Sequence, residues 1–266
     1  LSSQVRAVTA MNLRNLPQRA TSSAVAVVGV AGVTLVLVAV LSIAEGFRAA
    51  LELSGSEDVA IVLRSGSTDE LTSGLQQGIV PVIADAAGVA RQPDGAPVVS
   101  PELYVVVDVP IRGKGSAANA PLRGVGPLAA SIRRELRIVE GRMFQPGTSE
   151  VIVGDGAAQQ YEGLVVGRTV RWGTTTWTIV GRFTDGGGVA ESEIWSDARV
   201  LQQAYKRGSL FQSLRVRLQS PAALVAFRDA LAADPRLSVR VERETTFYAE
   251  QSAFLRSLVT SAGWAI

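Results

Sequence analysis

Residues 20–44 read ATSSAVAVVGVAGVTLVLVAVLSIA, a stretch without one charged side chain and composed mostly of Ala, Val, Leu, Ile and Gly. At about 1.5 Å of rise per residue, a helix of that length crosses a hydrocarbon core of about 30 Å with some tilt. A helix apolar on every face has no water-facing side, so the stretch is expected to be a transmembrane helix. A cleaved signal peptide is the competing reading. Its apolar core runs only about 7–15 residues, and Glu45-Gly46-Phe47-Arg48 places no small-x-small cleavage site behind the apolar run. The span is therefore expected to be retained.

Orientation follows from the flanks. Residues 1–19 carry Arg6, Arg14 and Arg19 and no acidic residue, whereas mixed charges (Glu45, Arg48, Glu52, Glu57, Asp58) follow the span. Basic flanks stay in the cytoplasm, which puts the N-terminus inside and the chain after Ala44 outside. On a helix, Leu1, Val5, Val8 and Leu16 share one side, with Arg6 and Arg14 opposite, until Pro17 ends it. That pattern suits an amphipathic leader in the cytoplasmic headgroup layer. Asn12 interrupts the stripe, so a solvated helix end is the alternative. At the other end, residues 257–266 (SLVTSAGWAI) are uncharged but too short to span. Preceded by a helical pattern with Phe247, Phe254, Leu255 and Leu258 as apolar points, they form either a docking helix or the start of a second transmembrane helix cut short. The absence of an initiator Met at Leu1 favours the second reading.

The segment between these ends, residues 45–256, is large enough to bury a core of its own. The chain has no Cys and no His, and a formal charge of +2. Disulfide frameworks, zinc sites of the usual kind and Ser-His-Asp or Cys-His catalysis are thereby excluded. Nucleic-acid binding has no support, since three of the arginines are explained by membrane topology.

The grammar of that segment repeats. Val59–Leu63 is a buried-strand run ended by Ser65-Gly66-Ser67. Pro81 opens a helix that carries Val82, Ile83, Ala86 and Ala87 to Gly88. Strands follow at Val98–Val99 and Leu103–Val109, punctuated by Pro101 and Pro110. Near the end, Leu214, Val216 and Leu218 alternate with Arg215 and Arg217 as a half-buried strand. Ser220-Pro221 then reads as an N-cap and first-turn proline. A helix exposing Leu224, Phe227 and Leu231 runs to Asp234-Pro235, and Leu237, Val239 and Val241 alternate again. Strand, helix and strand in so short a space suit a βαβ or ferredoxin-like split unit, one at each end of the segment. Between them lies a mostly β block: Val151–Val153, a short helix at Ala157–Tyr161, and a hairpin of Val170–Trp172 with Trp177–Phe183 around Gly173-Thr174.

This arrangement resembles the permease subunits of MacB-like ABC transporters, the group that includes lipoprotein-release and FtsX-type permeases. A basic leader with Asn12-Leu13-Arg14-Asn15 runs into a single span, and an exported segment of domain size follows. Glu140-Gly141-Arg142-Met143-Phe144 is similar to the family's G-R-x-F motif, and Glu150–Gly154 to the strand after it. Val166-Gly167-Arg168-Thr169-Val170 and Trp177–Phe183 resemble the next motif pair. Glu193-Ile194-Trp195-Ser196-Asp197 stands where the family has a further strand, here without its proline. The resemblance implies an α+β fold: a membrane-anchored periplasmic domain with a porter-like βαβ lobe (56–125 and 209–245) and an inserted β-rich lobe (126–208), preceded by one transmembrane helix. It further implies four spans in the whole permease, with 257–266 beginning the second. The implied setting is the bacterial inner membrane, and the implied partners are an ABC ATPase subunit, a second permease in a homo- or heterodimer, the lipid bilayer and a periplasmic adaptor protein.

No catalytic, cofactor-binding or metal-binding residue is expected. Arg112-Gly113-Lys114-Gly115-Ser116 lacks the spacing of a Walker A loop and reads as a mobile loop. Asp185-Gly186-Gly187-Gly188 reads as a flexible hairpin end rather than an anion nest. Glu191 and Glu193 read as a solvated edge rather than a catalytic pair, and Trp172 and Trp177 as residues packing across strands. Two functions remain: a transport permease coupling a cytoplasmic ATPase to movement outside the membrane, and a membrane-tethered sensor with an extracytoplasmic ligand-binding domain. The permease is expected. The transported substrate is not legible.

Overall fold

A computed structural model describes residues 20–251. The proposed leader (1–19) and second span (257–266) lie outside the described residues. Helix α1 (Ala20–Glu52) contains the apolar stretch and runs eight residues beyond it. Residues Ala24–Ser42 are long and apolar enough to cross a membrane, and none of that window is buried by protein. The chain divides into two compact units, and the described residues from Ala49 onward belong to the second.

That second unit is built on a ten-stranded mixed sheet. One part of it carries β1 (Val59–Arg64), α2 (Val80–Ala84), the first third of β3 (Val99–Pro110), β11 (Ser213–Arg217), α6 (Ala223–Ala233) and β12 (Val239–Arg243). Strand β1 is antiparallel to both β11 and β12, and β11 is antiparallel to β3, giving the order β12-β1-β11-β3. Each helix thus crosses between parallel strands separated by a third, which is the split βαβ expected from the sequence. Leu224, Phe227 and Leu231 are the buried side of α6, as their spacing requires.

Two details differ from expectation. Pro101 does not divide β3 but sits inside it, opposite Leu214. The carbonyls of Val98 and Glu102 accept from Arg217 and Gln212. Odd-numbered backbone groups therefore face away from β11, and no neighbouring strand asks Pro101 for a donor. Helix α6 begins at Ala223 rather than at Pro221, and its N-terminus has no side-chain cap; Ser220 supplies only its carbonyl, to Ala223 N at 3.0 Å.

The remaining strands extend the same sheet. The rest of β3 pairs with β4 (Ala117–Val125), and β4 runs parallel to β9 (Ile194–Asp197). Strand β9 pairs with β6 (Glu150–Gly154), which pairs with β8 (Thr175–Asp185). Both β5 (Leu136–Gly141) and β7 (Thr169–Trp172) pair with β8. The turn between β7 and β8 is Gly173-Thr174, as expected. Short helices α3 (Ala129–Ile132), α4 (Asp155–Gln160) and α5 (Ala198–Ala204) connect these strands, and a two-stranded ladder joins β2 (Leu75–Gln76) to β10 (Leu210–Phe211). Gly141 of the G-R-x-F segment has φ +71°, and a Cβ there would stand 2.2 Å from Val180 O, so only glycine fits.

Two large apolar cores dominate the described residues, with a smaller one around Phe144, Phe183 and Trp195. Ala60, Val62, Ile83, Leu214, Val216, Phe227 and Leu231 fill the ferredoxin-like part. Val105, Val107, Leu122, Val153, Trp177 and Ile179 fill the other, so the far end of β3 and all of β4 pack with the block that follows them in sequence.

Candidate functional site

On β11, Leu214 and Val216 face the first apolar core while Ser213 and Arg215 face the opposite side of the sheet. Register then assembles a single face. Ser213 lies opposite Glu102 and Arg215 opposite Ser100 on β3. Tyr104 lies opposite Arg123 on β4, and Arg123 opposite Trp195 on β9. Glu193, two residues before Trp195, falls on the same side. That face is covered, so Arg215 and Glu102 are completely buried and Arg123 and Glu193 nearly so. Charges removed from water persist only when paired and hydrogen-bonded.

Here they are paired throughout. Arg215 donates through Nε to Glu244 at 2.7 Å and through Nη1 to Glu70 at 3.1 Å and to Glu102, while its Nη2 donates to Tyr248 Oη at 3.0 Å. Arg123 grips Glu193 with two bonds of 2.8 Å and Glu70 with bonds of 2.8 and 3.0 Å, and also reaches Glu102 at 3.0 Å. Arg133 chelates Glu102 at 3.1 and 3.2 Å and lies 4.4 Å over the Trp195 ring. Trp195 Nε1 donates to Glu193 at 2.8 Å, and Ser213 Oγ to Glu70 at 2.5 Å. Three guanidiniums face four carboxylates.

Burial alone would raise the Glu70 carboxyl, but Arg123 and Arg215 outweigh it and hold it well below the ordinary value of 4.5. Glu102 is likewise raised by burial and lowered further by Arg133, Arg215 and Arg123, with a net downward shift. Burial, which would lower it, is overcome for Arg215 by Glu102 and its other acidic neighbours, so its charge is held firmly. Burial pushes the Tyr248 phenol up to about 12. No nucleophile or proton-transfer pair is free in this cluster. The carboxylates are taken up by guanidinium N–H, and among the described residues no three His, Cys, Asp or Glu are placed to hold a metal ion.

Beside the cluster, the chain's two connections meet. Entering, Leu51 is buried, and Ser54 Oγ donates to Ala50 O at 2.7 Å and accepts from Val189 N at 2.8 Å. Gly55 then turns with φ +88°, and a Cβ there would come within 3.1 Å of Glu244, Thr245 and Tyr248. Leaving, residues 244–251 are helical. Their first residue is the buried Glu244, Thr245 Oγ1 donates to Glu57 at 2.8 Å, and Phe247 packs with Ile61 and Leu63. A cavity of about 180 Å³ between Ser54, Gly55, Arg133, Asp185, Glu244 and Tyr248 marks the meeting point. The leaving connection is thus bonded to the cluster through Glu244 and Tyr248, and the entering one packs against it at Gly55.

The residues weighed from sequence fall out differently. Glu193 is no solvated edge but a buried member of the cluster. Glu191 accepts from Asp185 N at 2.7 Å and Gly187 N at 2.8 Å, so the Gly-rich turn is a small anion nest filled by the chain's own carboxylate. Residues 112–116 form the β3–β4 turn, with Arg112 fastened to the carbonyls of Ala158, Gln159 and Tyr161. Trp177 faces Val170 and Trp172 faces Thr175, and both tryptophans end in the second apolar core. Glu70, Glu102, Arg123, Arg133, Arg215, Glu244 and Tyr248 carried no individual signal in the sequence. The available clue was a charged residue flanked by apolar neighbours within central strands, as in Leu122-Arg123-Gly124-Val125 and Leu214-Arg215-Val216.

Residues 23–234 match the family described as MacB-like periplasmic core domain. Among solved structures, the periplasmic region of MacB from Actinobacillus actinomycetemcomitans superposes with a TM-score of 0.54 at 13% identity, over 73% of this chain and 92% of that one. The extracellular domain of the noncanonic ABC-type transporter YknZ from Gram-positive bacteria gives 0.49 at 15% identity, over 70% of this chain and 100% of that one. No curated protein matches the chain.

Proposed function

Because the chain belongs to the MacB-like periplasmic core domain family, we propose that it is a permease subunit of an ABC transporter whose core domain works as a moving part outside the membrane. The observation that carries this reading is the meeting of the two chain connections, Gly55 packing against Glu244–Tyr248, at a point where the second is bonded to a buried charge cluster. A displacement entering through either connection meets directional, hydrogen-bonded contacts rather than a deformable apolar core. ATP hydrolysis is proposed to lie on a separate cytoplasmic subunit, as in the family the chain belongs to. The proposed setting is the bacterial inner membrane with the N-terminus cytoplasmic, a permease homo- or heterodimer, and an adaptor protein docking on the periplasmic side.

We propose the porter-like lobe as 56–125 with 209–245 and the inserted lobe as 126–208. The strand order β12-β1-β11-β3 supports the first. The packing of β3 beyond Glu102 and of β4 with the inserted strands makes that hairpin the shared wall of the two.

The reading is tested with the full chain in its native membrane. A reporter inserted at Lys114 should be exported and one fused before Thr21 should stay cytoplasmic, and an ABC ATPase should co-purify and remain active. A cytoplasmic signal from Lys114 would overturn the orientation. Recovery of the chain with a signalling kinase and without an ATPase would favour the sensor reading instead.

A further inference from the structure

A cleft of about 760 Å³ opens on the globular unit, away from the charge cluster's members, and its walls come from two distant stretches of chain. Val80, Pro81 and Phe211 line it from the ferredoxin-like part, and Val125, Pro127 and Pro146 from the other. The volume is that of a site for a small molecule, and apolar side chains dominate the walls. A second hollow of about 510 Å³ shares Gln77 and Arg199 with it and adds Lys206 at its rim.

The charges at this rim are one-sided. Asp197, the acidic residue of the lining, is already engaged by three backbone amides: Arg199 N at 2.7 Å, Val200 N at 3.1 Å and Gly147 N at 3.2 Å. The side chains of Arg199 and Lys206 have no ion-pair or hydrogen-bond partner among the described residues, so their charges are open to a ligand, as are those of Arg168, Arg171, Arg207 and Arg228 away from the cleft lining. Lys206 also holds a left-handed backbone, φ 53°, the one non-glycine position with positive φ among the described residues. That conformation closes α5 in a Schellman turn, with Arg207 N donating to Gln202 O at 2.9 Å and Lys206 N to Gln203 O at 3.3 Å.

We propose that this cleft binds an amphipathic anion, its apolar body between the proline-rich walls and its anionic group at Arg199 and Lys206. The floor gives the site a route to the rest of the unit. Gly126 N donates to Ser100 Oγ at 3.0 Å, and Ser100 Oγ to Glu102 at 3.2 Å, so the floor is hydrogen-bonded to the charge cluster. The binding claim stands without the transport reading; only the route to the connections rests on it.

The test uses the full chain in lipid nanodiscs, where the absence of cysteine lets Gln203→Cys carry one environment-sensitive fluorophore at the rim. Naphthalene-2-sulfonate serves as the anionic probe and naphthalene-2-sulfonamide as its uncharged counterpart. The parent should bind the sulfonate saturably, and at least ~10-fold more tightly than the sulfonamide. Arg199→Gln with Lys206→Asn should weaken the sulfonate ~10-fold or more and leave the sulfonamide within ~2-fold. Gly78 has open space around it, so Gly78→Phe should fill the cleft and abolish binding of both probes with the melting temperature unchanged. Absence of saturable sulfonate binding by the parent would overturn the proposal. So would equal binding of the two probes, or full binding by the Gly78→Phe chain. None of these results depends on ATPase recovery or export, so failure here leaves the permease reading standing, and failure there leaves this site standing.

Discussion

The β1–β11–β3 sheet has two covered faces that are built on opposite principles. On one, Ala60, Val62, Leu214 and Val216 meet Ile83, Phe227 and Leu231 in an apolar core. On the other, Ile61 and Leu63 of β1 pack with Phe247, but Glu102, Ser213 and Arg215 of β3 and β11 meet Glu70, Glu244 and Tyr248 in a lattice of charged hydrogen bonds. Apolar burial is non-directional and tolerates repacking at constant volume. A buried ion cluster adds little net stability but is costly to break and fixes which groups face one another. The first face holds the unit together; the second fixes how its connections are attached.

The sharpest break of that contrast is on β11 itself. Arg215→Ala strands Glu244 and leaves Glu102 to Arg133 and Arg123 alone, and should cost about 3–5 kcal/mol, read as a shift of the denaturation midpoint of the full chain. A loss under about 1 kcal/mol would mean the cluster is solvated. Its neighbour Leu214→Ala, on the apolar face, should cost about 2–5 kcal/mol through the cavity it leaves.

Acid separates the two. Glu70 and Glu102 have folded values below their unfolded value of 4.5, so the stability they contribute is fully present above that pH and is lost as pH falls through the folded values. The deficit of Arg215→Ala should therefore shrink on acidification, because protonated carboxyls no longer miss a cation. The deficit of Leu214→Ala should run parallel to the parent. Equal slopes for both variants would break the comparison.

The smallest effect belongs to Tyr248. Tyr248→Phe removes one hydrogen bond to Arg215 and should cost about 0.5–1.5 kcal/mol. The phenol's folded value of about 12 lies above its ordinary 10.0, so its contribution is present below pH 10 and is lost as pH rises toward 12. In Tyr248→Phe, the step near pH 12 of the tyrosinate absorbance titration should disappear.

The apolar face was legible because periodicity reports it. Leu224, Phe227 and Leu231 announce a helix face, and Val59–Leu63 a buried strand. The charged face was not, because alternation of Leu214, Val216 and Leu218 with Arg215 and Arg217 reads the same whether the arginine side is wet or covered. What covers it comes from Glu70, Arg133 and Glu244, up to 145 residues distant from Arg215 in sequence. Pro101 misled for a related reason: a proline breaks a ladder only where the neighbouring strand needs its N–H, and the strand order deciding that is a tertiary fact. Glu193 was misplaced by its glycine-rich neighbours, whose turn is closed by Glu191 instead.

The most direct test of the mechanical account is export by the complete transporter with Glu250→Pro. Residue 250 lies in the helical residues 244–251, beyond the last cluster contact at Tyr248, and among the described residues its side chain reaches only Arg240, at 2.9 Å. Proline there removes a backbone hydrogen bond and kinks the connection at a cost of about 3 kcal/mol without touching the charge cluster. Assembly and basal ATP hydrolysis should survive while export falls at least ~10-fold, the equivalent of about 1.4 kcal/mol of lost coupling. Export at the parental rate through a kinked connection would contradict the account.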